Sequence, residues 1–303
     1  MIHVLDIGGS GIKAAYATAP DAVTPVARVA TPLDDFDAFV EAIRTALTDA
    51  PSGAEAISIS ITGVIDPETG IITCANIPCI DRRNLATDLG ARLGAPVYVA
   101  NDADCFALAE AGAGAGVGHR VVFGAILGTG VGGGLVVDGK LIVGTGGLTG
   151  EWGHGPAAAN RAGTPKVDIP LYPCGCGQVG CVDTIGAARG LERLHLHLHG
   201  DLLKSTEIID LWRGGEARAA QTVDCQADLV ASPLALTVNI TGASIVPVGG
   251  GMSNVPELIA LIDERVRARI LRKTDRALVV PGRCTVEPGL IGATILGLSG
   301  VAA

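Results

Sequence analysis

The chain has 303 residues, 48% hydrophobic and 3% aromatic, with 43 glycines, which is enough for two domains of ordinary size. A net charge of −9 argues against a nucleic-acid partner. No run of about 18 apolar residues suggests a membrane span. The opening MIHVLDIGG lacks the basic start and long apolar run of a signal peptide, so a cytoplasmic protein is expected.

In chain order, Ile2–Ile7 is a short apolar run ending in Asp6-Ile7-Gly8-Gly9-Ser10-Gly11, and Ile12–Ala17 resumes it. This reads as strand, glycine turn, strand, with Val26–Val29 as a third strand. Phe36, Phe39, Val40, Ile43 and Leu47 follow helical spacing behind a cap at Asp34 or Asp35. Ala56–Ile61 is a β-branched strand, and Asp66–Gly70 has turn composition between Ile65 and Ile71. Leu85, Leu89 and Leu93 mark a short helix. Val97–Val99 is a strand that delivers Asn101, Asp102 and Asp104 at its C-terminal end, followed by an Ala-rich helix to about Ala113.

Gly112–Gly118 is the expected domain boundary. The pattern then restarts: strand Val121–Leu127, glycine turn Gly128–Gly134, strand Leu135–Val137, turn Asp138-Gly139 and strand Leu141–Val143. The expected division is residues 1–117 as an N-terminal α/β lobe and 118–289 as a C-terminal α/β lobe with the cysteine cluster. The final helix, about residues 290–303, is expected to pack back on the first lobe. His195 and His199 share a helix face, but no third ligand accompanies them, so a half-exposed helix end is the reading. Ser244–Val248 is a strand into Gly249-Gly250-Gly251, and Val255–Leu271 a helix.

Pro173–Asp183 reads PCGCGQVGCVD. Cys174, Cys176 and Cys181 are soft donors separated by glycines that let the backbone fold back toward one ion. A closed zinc site needs a fourth ligand, and His154 in TGEWGH is the nearest upstream histidine. A Cys174–Cys176 disulfide would be a strained small ring. With His154 as ligand, Glu151 and Asp183 stand beside the metal as two carboxylates facing one space.

No P-loop motif is present. Glycine-rich hairpin turns hold phosphate differently, through inward N–H groups and close backbone approach. Two such turns occur in matching positions, with a third glycine cluster at Gly249–Gly251. Asp6 suits hydrated Mg2+ or, more plainly, caps its turn. Asp102 ends a strand, where α/β sheets place ligands. Phosphoryl transfer to an alcohol needs such a carboxylate, and a helix cap is the alternative.

DIGGSGIK, NDADCFALAEA, LGTGVGGGLVVDGK, TGEWGH and CGCGQVGC, in that order, resemble the ROK family of sugar kinases and repressors, with a weaker match at VPVGGGMSNVPEL. The resemblance implies an α/β actin-like ATPase (ribonuclease H-like) fold, two lobes around a cleft. It implies that Asp6, Gly8, Gly9, Ser10, Gly11 and Lys13 form a first phosphate loop, and Gly128, Thr129 and Gly130 a second. Gly249, Gly250 and Gly251 then form the adenosine motif, and Asp102 is the catalytic base. Gly63, Asn76, Asn101, Asp102, Glu151, His154 and Asp183 form the sugar shell, and His154, Cys174, Cys176 and Cys181 hold structural Zn2+. The ANDADCFAL wording and the long His154–Cys174 spacing resemble the subgroup acting on N-acetyl-D-glucosamine.

The expectation is transfer of phosphate from ATP, with Mg2+, to the 6-hydroxyl of that sugar in a homodimeric enzyme. Glucose, fructose and N-acetylmannosamine are the alternative substrates. A DNA-binding repressor is disfavoured because Asp6 stands so near the start and the charge is negative, and a dead sugar sensor because Asp102 and both loops are present. Two positions depart from the family pattern. Asp183 stands where Glu is usual, and Ser10-Gly11 is also the wording of polyphosphate-using glucokinases, which leaves the phosphoryl donor open.

Overall fold

The computed structural model describes residues 1–155 and 158–302. The chain opens with β1 (Ile2–Gly8), β2 (Gly11–Ala19) and β3 (Ala22–Val29), then α1 (Phe36–Ala46) and β4 (Ile57–Ile61). A small hairpin, β5 (Val64–Ile65) and β6 (Ile72–Thr73), precedes α2 (Leu85–Leu93), β7 (Val97–Asn101) and α3 (Asp102–Ala113). Next come β8 (Val121–Leu127), β9 (Val131–Val137), β10 (Lys140–Leu141), and the short pair β11 (Arg161–Ala162) and β12 (Val167–Asp168). The remainder is α4 (Ala188–His199), α5 (Ser205–Arg213), α6 (Ala217–Thr241), β13 (Val246–Gly249), α7 (Pro256–Arg269), β14 (Val279–Pro281) and α8 (Pro288–Val301).

Two five-stranded sheets carry the molecule, in the orders β3-β2-β1-β4-β7 and β10-β9-β8-β13-β14. In the first, β1 and β2 are antiparallel, while β4 and β7 run parallel to β1. Alternation along β1 sends its residues to two buried faces. Leu5 and Ile7 pack with Phe39, Val40 and Ile43 of α1 and with Leu85 and Leu89 of α2. Ile2 and Val4 pack with Leu290 and Ala293 of α8 on the other side. Full burial of side chains of this size stabilises by about 1.5–3 kcal/mol each. The α8 backbone comes close to α3, because Gly292 lies on the Cys105 carbonyl where any side chain would collide.

The chain divides into two compact units. One comprises Met1–Gly118, Gly134–Thr149 and Cys284–Ala303, the other His119–Gly133 and Gly150–Arg283. The segment Gly134–Thr149 thus groups with the first unit, whereas the expected 118–289 lobe included it. The reason is local. Val131–Gly134 is extended strand, not part of the turn, and its glycines serve close packing. A Cβ at Gly134 would lie 2.9 Å from the Ala107 Cβ of α3.

Several boundaries differ from the sequence expectation. Strand β3 begins at Ala22 and β10 stops at Leu141. Of the two expected caps of α1, Asp35 serves, accepting from the N–H groups of Asp37 and Ala38. Asp138 (φ 52°) and Gly139 (φ 74°) form the expected hairpin turn. His195 and His199 do share a face of α4, with ring centres 4.8 Å apart. His195 is buried, however, and its Nδ1 is 2.9 Å from the Thr222 hydroxyl of α6, which makes it a core histidine. No helix among the described residues is long and apolar enough to cross a membrane.

Candidate active site

The candidate residues fall on both units, and each unit holds its own group. In the first unit, β1 delivers Asp6 just ahead of the Gly8–Gly11 turn. Asp6 faces Lys13 across the β1–β2 pair, with Lys13 Nζ 3.3 Å from Asp6 Oδ2. The Ser60 hydroxyl donates to Asp6 Oδ1 at 3.0 Å. Asp6 is therefore a cross-strand ion-pair partner rather than a turn cap. Lys13 is not a lone cation for phosphate, since it also pairs with Glu287 at 2.6 Å. Burial alone would lower the Lys13 ammonium, but the Glu287 hydrogen bond and the two carboxylate charges together raise it. The Thr31 hydroxyl holds the Gly8 carbonyl at 2.7 Å, which fixes the start of the turn.

The end of β4 and the end of β7 lie side by side in this unit, because Ile61 is paired in register with Asn101. Gly63 adopts φ 125°, a conformation L side chains rarely take, and its carbonyl accepts from Asn101 Nδ2 at 2.8 Å. Asn101 Oδ1 accepts from the Ala103 N–H at 2.8 Å, so Asn101 is the N-cap of α3. Asp102 is the exposed first residue of that helix, and its Oδ1 also receives the Ala103 N–H at 2.8 Å. Asp104 is buried. Asn76 donates to the Thr62 hydroxyl at 3.2 Å, and its carbonyl lies under Gly9, 3.4 Å from where a Cβ would stand. Gly63, Asn76, Asn101 and the first glycine turn thus form one neighbourhood. Ser60, Thr31 and Thr62 support it and were not foreseen. Their signal was polar side chains in apolar surroundings, most plainly Ser58 and Ser60 inside the buried ISISI strand.

In the second unit, two glycine clusters meet. Gly250 sits on the end of β8, and a Cβ there would lie 2.7 Å from the Gly128 nitrogen. The loop Gly128-Thr129-Gly130 is tied by a Gly128 N–H to Gly130 carbonyl bond at 3.0 Å. The Gly128 carbonyl accepts the first N–H of α4, from Ala188, at 3.1 Å.

His154, Cys174, Cys176 and Cys181 place their donor atoms within 4.8 Å of one another. Cys174 Sγ is 3.7 Å from His154 Nδ1, and the Cys176 and Cys181 sulfurs are 3.6 Å apart. A zinc tetrahedron with Zn–S arms of about 2.3 Å has edges of about 3.7–3.8 Å, so the donor set fits the metal. The fold-back is local: Cys174 N–H bonds Gln178 at 2.8 Å, and Gly177 takes φ 89°. The Gln178 backbone hydrogen bond draws Cys176 down to about 7, while burial pushes Cys181 up to about 12.

Glu151 lies 3.8 Å from the other ring nitrogen of His154. Asp183 turns elsewhere. Its Oδ1 accepts from the Val131 N–H at 2.7 Å, while Oδ2 is 3.9 Å from Cys174 Sγ. The two carboxylates are therefore not equivalent, as the sequence reading had them. Trp152, between Glu151 and His154 but not singled out from sequence, donates through Nε1 to the Gly132 carbonyl at 2.7 Å.

The ROK family profile matches residues 2–299. The chain belongs to the ROK family. It is 35% identical over 302 residues to the N-acetyl-D-glucosamine kinase of Escherichia fergusonii, covering 99% of this chain and 100% of that protein. The corresponding kinase of Shigella boydii is 34% identical over the same span. Among solved structures, the ROK hexokinase of Thermus thermophilus superposes with a TM-score of 0.78 at 28% identity, covering 100% of this chain and 99% of that one. A ROK glucokinase of Streptomyces griseus, in complex with glucose and AMPPNP, gives 0.73 at 28% identity with 98% of each chain covered. The fold is the two-lobed actin-like ATPase fold of these enzymes, and the protein is an ATP-dependent ROK sugar kinase.

Proposed function

We propose that this ROK kinase transfers the γ-phosphoryl group of ATP to the 6-hydroxyl of N-acetyl-D-glucosamine. The observation that carries the reading is its likeness, along the whole chain, to the Escherichia fergusonii and Shigella boydii kinases named for that sugar, at 35% and 34% identity. The placement of Asp102 supports the chemistry. Asn101 caps α3 and anchors Gly63, so the exposed Asp102 carboxylate stands on a fixed strand-to-helix junction. It acts as the base that takes the hydroxyl proton while the oxygen attacks the phosphorus.

Asp6, Gly8, Gly9, Ser10, Gly11 and Lys13 serve the phosphates as a first loop, Gly128, Thr129 and Gly130 as a second, and Gly249–Gly251 serve the adenosine. Neutralisation of phosphate charge is the chemistry a bound Mg2+ supplies, with Asp6 toward its hydration shell. Gly63, Asn76, Asn101, Glu151 and His154 receive the sugar, with Asp183 near its 2-substituent. The carboxylate of Asp183 seats back on Val131, which supports room for an acetamido group. Zn2+ on His154, Cys174, Cys176 and Cys181 is structural, and the enzyme works as a cytoplasmic homodimer.

Glucose is the rival substrate, favoured by the likeness to the Streptomyces griseus glucokinase. A coupled assay with ATP over N-acetyl-D-glucosamine, glucose, fructose and N-acetylmannosamine decides. The expected result is at least about tenfold higher kcat/KM for N-acetyl-D-glucosamine than for glucose. Equal or higher efficiency on glucose overturns the assignment.

A further inference from the structure

The strand that leaves the second glycine loop is gripped by the two segments that carry the metal ligands. Trp152 Nε1 donates to the Gly132 carbonyl at 2.7 Å. Gly153 packs so closely that a Cβ there would stand 2.5 Å from the Val131 carbonyl oxygen. Asp183 Oδ1 accepts the Val131 N–H at 2.7 Å, and the Asp183 N–H in turn bonds the Gly153 carbonyl at 2.9 Å.

The Asp183 contact acts on one particular peptide. The plane between Gly130 and Val131 presents an N–H at Val131 and a carbonyl at Gly130. Asp183 holds the N–H, and the Gly128 N–H holds the carbonyl at 3.0 Å. With both polar groups fixed the plane cannot flip, and the direction of the Gly128 N–H is fixed with it. Without Asp183 the plane is held from the Gly128 side, on a loop whose glycines permit rotation. The fit is also tight. A Cβ at Gly130 would lie 2.5 Å from Asp183 Oδ1, so any side chain at 130 would displace the carboxylate from the loop.

We propose that Asp183 is a positioning residue for the ATP phosphate loop, setting the Gly130–Val131 peptide plane, rather than a residue whose main partner is the sugar. The proposal rests on the reading that Gly128–Gly130 receives the phosphates. It explains the departure from the usual Glu: the shorter side chain brings the carboxylate onto the backbone of the loop. A loop whose backbone is already fixed binds phosphate without first ordering itself, so the effect falls on nucleotide affinity.

The test is calorimetric titration of Mg·AMPPNP without sugar, and of N-acetyl-D-glucosamine without nucleotide. The proteins are the wild type, Asp183→Ala, Asp183→Asn, Asp183→Glu and Gly128→Val. Asp183→Asn keeps an oxygen that accepts the Val131 N–H but removes the charge. The expected result is nucleotide binding weakened about tenfold in Asp183→Ala and Asp183→Glu, and within about threefold of wild type in Asp183→Asn. Sugar binding stays within about threefold in the Asn variant, and Val131 amide exchange accelerates in the Ala variant. Sugar affinity lost in Asp183→Asn, with nucleotide affinity kept in Asp183→Glu, overturns the proposal. Gly128→Val separates the two layers. If it abolishes nucleotide binding while no Asp183 variant affects it, the positioning role alone falls. If it leaves nucleotide binding intact, the phosphate-loop reading falls and takes the proposal with it.

Discussion

Asn101 donates to the carbonyl of Gly63 at 2.8 Å, so the ends of two adjacent parallel strands are tied by a side chain rather than by the ladder alone. The same side chain caps α3 beside Asp102, whose Oδ1 shares the same Ala103 N–H.

Asp102→Asn should accordingly lower kcat by about 10²–10⁴-fold, because the proton acceptor is removed at nearly constant shape. The melting temperature should stay close to wild type, since Asn101 still caps the helix. Steady-state kinetics with thermal denaturation on one preparation reads both. A fully active Asp102→Asn enzyme would return Asp102 to a structural role.

Asn101→Ala should behave in the opposite way on stability. It removes the cap, worth about 1 kcal/mol, and leaves the Gly63 carbonyl without its donor. Urea unfolding should show the loss, and the KM for sugar should rise because Gly63 is no longer held.

These two residues show what was legible in the chain and what was not. Glycine hairpins, the β-branched ISISI strand and the cysteine spacing are local patterns, and local sterics suffice to read them. The association of His154 with three cysteines needed only the chemistry of the donors. The bond from Val131 to Asp183 spans 52 residues and depends on tertiary packing, which no spacing rule encodes. Gly133 and Gly134 misled for a physical reason: glycine marks close approach as often as it marks a turn, and here the approach won. The partition of Lys13 between Asp6 and Glu287 was equally hidden, because Glu287 lies 274 residues away.

Asp228 is the hub of the second unit away from the active site. It is buried on α6 and accepts from Lys166, Arg269 and the Gly163 N–H, with Arg265 beside it. Burial works against its charge, but the Lys166 and Gly163 hydrogen bonds and the neighbouring cations outweigh this and hold the carboxyl below its ordinary value. A depressed carboxylate contributes stability above its unfolded pKa, and that contribution is lost as pH falls through the folded one. Asp228→Ala should therefore destabilise by about 1.5–3 kcal/mol at neutral pH, since the Gly163 N–H loses its acceptor and the partly exposed Lys166, Arg265 and Arg269 lose their shared carboxylate. The difference from wild type should shrink below about pH 4, where the carboxyl of the unfolded chain begins to protonate while the folded one is still charged. Urea titrations at both pH values check the sign.

Purified protein should carry one zinc per chain by elemental analysis, with four protein ligands and no open position. Glu151 and His154 alone would make metal loss a defect of sugar binding. The Asp183–Val131 and Trp152–Gly132 bonds carry it further, to the loop between Gly128 and Gly130. Chelation should weaken Mg·AMPPNP and sugar binding together. A protein without zinc that remains fully active in strong chelator would remove the metal from the account.

The cysteine cluster has one more property, which concerns the handling of the enzyme. Cys176 is exposed, and its sulfur stands 3.6 Å from that of Cys181. Zinc bound on these ligands would keep both sulfurs coordinated and chemically quiet. Once the metal is stripped, hydrogen peroxide can take two electrons and two protons from the pair, giving a disulfide and water. That product no longer offers the ligands zinc requires. Loss of metal in air thus becomes one-way, whereas loss under a thiol reductant remains reversible. Zinc re-uptake after chelation should be complete in the presence of reductant and fail after peroxide, with recovery on adding dithiothreitol.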